Sequence, residues 1–189
     1  MELRVEHLSK SYGEKQVLRD LSFVAGPGIL CIMAPSGAGK TTLLRILLGL
    51  EQADSGTVTG QNCHWSAVFQ ENRLLEQLDA AGNLRFALGA AYDRAKAARL
   101  LGYLGLELSD TQPVREYSGG MKRRLALSRA LLAESDALAL DEPFTGLDDG
   151  SRERALTAIR ACGAEKPVLL VTHDIRDAEA AGAAVLHLD

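Results

Sequence analysis

The chain has 189 residues, enough for one domain with a buried core and too few for two full ones. With 24% charged residues, a formal net charge of -4 and no long run of either sign, it shows no electrostatic footprint for direct contact with nucleic acid. Cys31, Cys63 and Cys162 are scattered and odd in number, as suits free thiols in a reducing cytosol; no stretch approaches the roughly 18 apolar residues of a membrane span, and residues 1–10 lack a signal peptide's apolar core.

In chain order, residues 3–6 and 17–23 read as short strands around a turn at 12–15, which predicts a small antiparallel sheet. The apolar run 29–33 reads as a strand that empties into Ala34-Pro35-Ser36-Gly37-Ala38-Gly39-Lys40-Thr41-Thr42. Residues 42–50 are apolar at helical spacing, and a polar turn at 54–56 precedes strand candidates near 57–59 and 67–69. From about 71 to 116 the strands vanish, and leucines recur among alanines and charges in helix-favouring sequence. Strands return at 137–140, 168–171 and 185–188, separated by helical stretches around 121–132, 151–162 and 175–181. Such alternation predicts a mostly parallel α/β sheet, in a single domain with a core of about 1–70 and 117–189 and an inserted helical lobe of about 71–116. The sequence stops directly after its last strand, so no appended regulatory domain is expected.

The segment 34–42 carries chemistry that its spacing explains. Glycines let backbone N–H groups turn inward around phosphates, Lys40 brings a mobile positive charge, Thr41 offers a hydroxyl to Mg2+, and the helix start adds its positive dipole end. A nucleoside triphosphate is the expected ligand, although Ala34 stands where the first glycine of such loops usually sits. Downstream, the strand Leu138-Ala139-Leu140 ends in Asp141 and Glu142, which alternation points in different directions. Asp141 can complete the metal shell beside Thr41, and Glu142 can orient or deprotonate an attacking water. Read alone, the pair is more often a strand end with a solvated acidic turn; beside the phosphate loop the catalytic reading is favoured. Ser118-Gly119-Gly120 opens a helix and can bind an anion, or can serve as an ordinary N-cap with a glycine turn.

In order and spacing, these motifs make the whole chain resemble the ATP-binding cassette ATPases, the nucleotide-binding subunits of ABC transporters. The resemblance implies a P-loop NTPase fold, ATP and Mg2+ as ligands, and site residues that map motif by motif. Tyr12 matches the aromatic residue that stacks on adenine, with Val17 nearby. Ser36, Gly37, Ala38, Gly39, Lys40, Thr41 and Thr42 form the phosphate loop. Gln70 matches the glutamine that senses Mg2+ and the attacking water, so that Thr41, Gln70 and Asp141 would face the metal. Ser118, Gly119 and Gly120 match the family signature, which departs from the common pattern at Tyr117, Met121 and Arg123, the last two standing where glutamine is common. Glu142 matches the general base, His173 the histidine at the γ-phosphate, and Asp148 a loop that crosses a dimer seam.

The resemblance further implies a head-to-tail homodimer, each signature completing the partner's site, and a transmembrane permease subunit through which the chain meets the membrane from its cytoplasmic face. Leu74, Leu75 and Leu78 belong either to the lobe's own core or to the surface that receives the permease. The phrase Phe69-Gln70-Glu71-Asn72-Arg73-Leu74-Leu75 is similar to bacterial importer ATPases of the nitrate, sulfonate and taurine type. A soluble ABC ATPase acting on ribosomes or DNA is the alternative, and it would bring tandem cassettes, a coiled-coil insertion or a basic arm; a binding-only ATPase is disfavoured by Glu142 and His173.

Overall fold

The computed structural model describes residues 2–35, 37–60 and 63–188; Ser36 falls outside them. Strands β1 (Leu3–Tyr12), β2 (Lys15–Ala25) and β4 (Ser55–Thr59) form an antiparallel sheet in the order β2-β1-β4. Strands β3 (Gly28–Met33), β5 (Trp65–Val68), β6 (Ala137–Asp141), β7 (Pro167–Val171) and β8 (Ala184–His187) form a parallel sheet in the order β5-β6-β7-β3-β8. The mixed architecture expected from the alternation of strands and helices is therefore present, with β4 added to the antiparallel sheet through the pairs Arg4–Thr59 and Val5–Val58.

Both faces of the sheet's centre are covered, which is why β6 and β7 are buried at every position rather than at every second one. Leu138, Leu140, Val168, Leu170 and Cys31 face a core shared with α4 (Gly119–Leu132), α5 (Asp149–Gly163) and α6 (Ile175–Ala181). Ala139, Leu169, Val171 and Ile32 point the other way, toward α1 (Lys40–Leu47) and the antiparallel sheet. Burial holds the Cys31 thiol up at about 11, so it packs as a small apolar side chain.

A third core joins α2 (Ala80–Leu88) and α3 (Arg94–Tyr103) to the outer side of α4 through Leu84, Leu101, Val114, Tyr117 and Leu125. Aspartates start both helices: Asp79 accepts from Gly82 N at 2.6 Å, and Asp93 from Ala95 N and Lys96 N. Buried Asn83 holds the preceding turn, accepting from Leu75 N and donating to Leu75 O and Asp79 O. Tyr117, where the signature departs from leucine, is buried in this cluster. Helix α4 is thus packed on two sides, which accounts for burial of Arg123, Ser128 and Ala130 as well as Leu125 and Leu127. Among the described residues no helix is long and apolar enough to cross a membrane.

Candidate nucleotide site

The site is assembled where β3, β5, β6 and β7 end on the same side of the parallel sheet. β3 runs into the phosphate loop, and the loop passes into α1 at Lys40. Gly37 and Gly39 adopt φ of +83° and +87°, left-handed values that turn successive peptide groups to one side. Gly39 has a second constraint, because a Cβ there would lie 2.5 Å from Val17 O. Lys40 Nζ donates to Ala34 O at 2.5 Å and to Pro35 O at 3.0 Å, so the ammonium arches back over the loop.

A cavity of about 390 Å³ opens above this loop, lined by Val17, Gly37, Gly39, Lys40, Thr41, Thr42, Gln70, Asp141 and Glu142. Thr41 Oγ1 donates to Asp141 Oδ2 at 3.5 Å across the gap between α1 and β6. Burial raises the Asp141 carboxyl above its ordinary range and the charge of Glu142 adds to this, while Arg123, Lys40 and the Thr41 hydroxyl pull it back. The next residue, Glu142, has φ +50°, an uncommon value for a side chain with a Cβ. Its N–H donates to Val171 O at 2.8 Å, and its Oε1 lies 2.8 Å from His173 Nδ1. The loop after β7 that carries His173 is fixed by Asp177, which accepts from Arg152 Nε at 2.7 Å and Thr172 Oγ1 at 2.9 Å.

Several other side chains singled out in the sequence stand apart from this cavity. Ser118 caps α4 by accepting from Met121 N at 3.3 Å, and both Ser118 and Gly119 are exposed. Gly120 is placed beside the loop after β6, where a Cβ would sit 2.9 Å from Gly146 O. Tyr12 is exposed, and its hydroxyl donates to Glu51 beyond α1 while Lys10 lies 5.5 Å over its ring. Ala38 lines a second cavity, of about 590 Å³, with Val17, Leu18 and Leu188. Asp148 caps α5, accepting from Ser151 N and Ser151 Oγ, and these bonds hold its carboxyl below the ordinary range.

The motifs pass over one side chain that reaches both halves of the site. Arg123, only 3% exposed, donates from Nε and Nη2 to Glu142 O, from Nη2 to Asp141 O at 2.5 Å, and from Nη1 to Phe69 O at 2.6 Å and Asn72 Oδ1 at 3.1 Å. Its only sequence signal is an arginine at a helical position where glutamine is common.

The sequence profile of a family described as ABC transporter matches residues 18–145. The "Nod factor export ATP-binding protein I" of Paraburkholderia xenovorans (strain LB400) is 38% identical over 195 residues, covering 94% of this chain, which spans 64% of that protein's length. The "Aliphatic sulfonates import ATP-binding protein SsuB 1" of Rhodococcus jostii (strain RHA1) is 40% identical over 175 residues, covering 88% of this chain and 71% of that one. Among solved structures, the "Dimeric Structure of MJ0796, a Bacterial ABC Transporter Cassette" superposes with a TM-score of 0.86 at 25% identity, covering 98% of this chain and 94% of the other.

Proposed function

This chain belongs to the ABC transporter family, and we propose that it binds and hydrolyses ATP to power a bacterial importer as one of a head-to-tail pair of subunits. The observation that carries the reading is the convergence of Lys40, Thr41, Gln70, Asp141 and Glu142 on one cavity above the phosphate loop.

The residues present suit Mg-ATP. A Cβ at Gly37 would meet nothing within 4 Å, so the loop leaves open room at its rim, and the N–H groups after Gly39 start α1. Thr41 and Asp141 are hard oxygen donors already within 3.5 Å of one another, and they would hold Mg2+ with Gln70 at its edge. Bound there, Mg2+ supplies neutralisation of phosphate charge. Lys40 exchanges the carbonyls of Ala34 and Pro35 for phosphate oxygens. Glu142 accepts a proton from the water whose oxygen bonds to the γ-phosphorus, while the bond from that phosphorus to the bridging oxygen breaks and ADP leaves with the electron pair. His173, whose Nδ1 lies 2.8 Å from Glu142 Oε1, would contact the same phosphate. Tyr12 offers a ring face to the base, and its tether to Glu51 fixes that face.

Ser118 and Gly119 are exposed rather than turned into the chain's own cavity, which supports completion of each site by a second subunit. The permease is proposed to dock beside the segment after Gln70. There a hollow of about 460 Å³ is lined by Leu48, Leu50, Trp65, Phe69 and Arg73, and further along the chain Leu75 and Leu78 are exposed. Leu74 packs inward against two cores, so the two readings of these leucines divide between them. The sulfonate relative supports import; the Nod factor relative, at similar identity, supports export as the second reading. Membrane attachment at the cytoplasmic face would come through the permease alone.

The test is to purify tagged Glu142→Gln protein with Mg-ATP from solubilised native membranes and identify its companions by mass spectrometry. A multi-span partner is expected, and it names the direction and cargo. Recovery solely with ribosomal or DNA-repair proteins overturns the transport reading. In parallel, Lys40→Ala is expected to abolish ATP binding, and light scattering of Glu142→Gln at saturating ATP is expected to show a pair of subunits.

A further inference from the structure

We propose that Arg123 is a positioning residue for hydrolysis, holding the backbone of Glu142 and the strand end that carries Gln70 in one frame. The proposal rests on the reading of Glu142 as the base. Its warrant is the way one guanidinium is spent. The contacts of Nε, Nη1 and Nη2 go to the carbonyls of Phe69, Asp141 and Glu142, with a longer one to Gln70 O at 3.4 Å, and to the Asn72 side chain; none is to a carboxylate. A buried arginine without an ion-pair partner is costly unless its donors are satisfied, and here backbone oxygens satisfy them.

Those oxygens belong to the pieces that must keep register for the chemistry. Glu142 sits at φ +50°, a conformation that persists only when its surroundings hold it. The peptide groups on both sides of its Cα are held, the N–H on Val171 O and the carbonyl on Arg123 Nε and Nη2. Removing Arg123 leaves that carbonyl only the longer bond from Thr145 N at 3.3 Å, and the carboxylate can then swing away from a water above the phosphate loop. The same guanidinium fastens Phe69 O, immediately before Gln70. Arg129, six residues along α4, adds bonds to Asn72 O and Arg73 O, so the segment after β5 is gripped twice by one helix. Arg123 lies five residues beyond Ser118, about 7.5 Å along the helix axis. Arg123 therefore ties the early turns of α4 directly to Glu142 and to the segment that carries Gln70. A glutamine at this position has two N–H donors and can make only part of the set.

The experiment compares Arg123→Ala, Arg123→Gln and Arg123→Lys, alone and in the Glu142→Gln background. It measures ATP hydrolysis in membranes containing the copurified partner, affinity for a fluorescent ATP analogue, and hydrogen exchange of amides 69–73, 142, 144 and 145. In Arg123→Ala, kcat is expected to fall on the order of 10- to 100-fold with affinity changed by less than about threefold. Exchange is expected to rise in those two segments only, Arg123→Gln should recover part of the rate, and Arg123→Ala should slow Glu142→Gln no further. Unchanged kcat, parallel loss of affinity and rate, or losses that multiply in the double variant overturn the proposal. Should Arg123→Ala fail to fold, Arg123→Gln and Arg123→Lys carry the same kcat-against-affinity comparison. A wild-type rate in Glu142→Gln itself overturns the base assignment, and the role of Arg123 falls with it; a failure confined to the Arg123 variants leaves the base assignment standing.

Discussion

His173 Nδ1 and Glu142 Oε1 stand 2.8 Å apart, joining the loop after β7 to the left-handed turn after β6. The hydrogen bond to Glu142, together with its charge, raises the His173 ring above the ordinary value of about 6.5. A raised folded-state value means that the pair's contribution to stability is full below the ordinary histidine range and is lost as pH rises through the raised value. Expected by NMR titration is a His173 midpoint above about 6.5 that drops in Glu142→Gln. Equal midpoints in the two proteins would show that the bond is not made in solution.

Gly39→Ala and Gly37→Ala separate two constraints in the phosphate loop. Both place a Cβ at positive φ, at about 1–2 kcal/mol each. Only Gly39→Ala also drives that Cβ to 2.5 Å from Val17 O, where backbone must move. Thermal melts and ATP titrations are expected to rank Gly39→Ala as the more damaging in both; the reverse order refutes the account.

Asp177→Ala leaves the buried Thr172 hydroxyl without its acceptor and the Arg152 guanidinium with only Asp174 Oδ2 at 3.4 Å. The expected loss is about 1–3 kcal/mol by denaturant unfolding, with a lower turnover because His173 follows Thr172. Asp177→Asn, which keeps an acceptor oxygen, should lose less of both.

Leu170→Ala empties a fully buried position in β7, facing Leu138 and Leu140. A loss of about 2–5 kcal/mol is expected, with ATP affinity of the remaining folded protein unaltered. Weakened affinity at unchanged stability would contradict its assignment to the core.

The sequence displays the site's local parts more plainly than its long-range ones. The phosphate loop lies within nine consecutive residues and stands out by spacing, and Asp141 and Glu142, after an apolar strand, gain their reading from its presence. Gln70 has no such pattern, and only family resemblance singled it out before the cavity placed it beside Lys40 and Asp141. The tether from Tyr12 to Glu51 and the contacts from Arg123 back to Phe69 join residues 39 and 54 positions apart. Periodicity reports which face of an element is apolar and says nothing about where a long polar side chain ends. The left-handed backbone of Glu142 was hidden for the same reason, since its anchors, Val171 O and Arg123, come from other elements.

β3, which carries the phosphate loop, lies between β7 and β8 in the sheet although it precedes both by more than a hundred residues. During synthesis, at about 5–20 residues per second, the strand therefore emerges long before either of its ladder partners exists. The loop cannot acquire its final support until Ala184–His187 has left the ribosome and closed on Leu30–Met33. A ribosome stalled before β7 would therefore hold the 34–42 loop with its correct sequence and without the strands that flank β3 in the finished sheet.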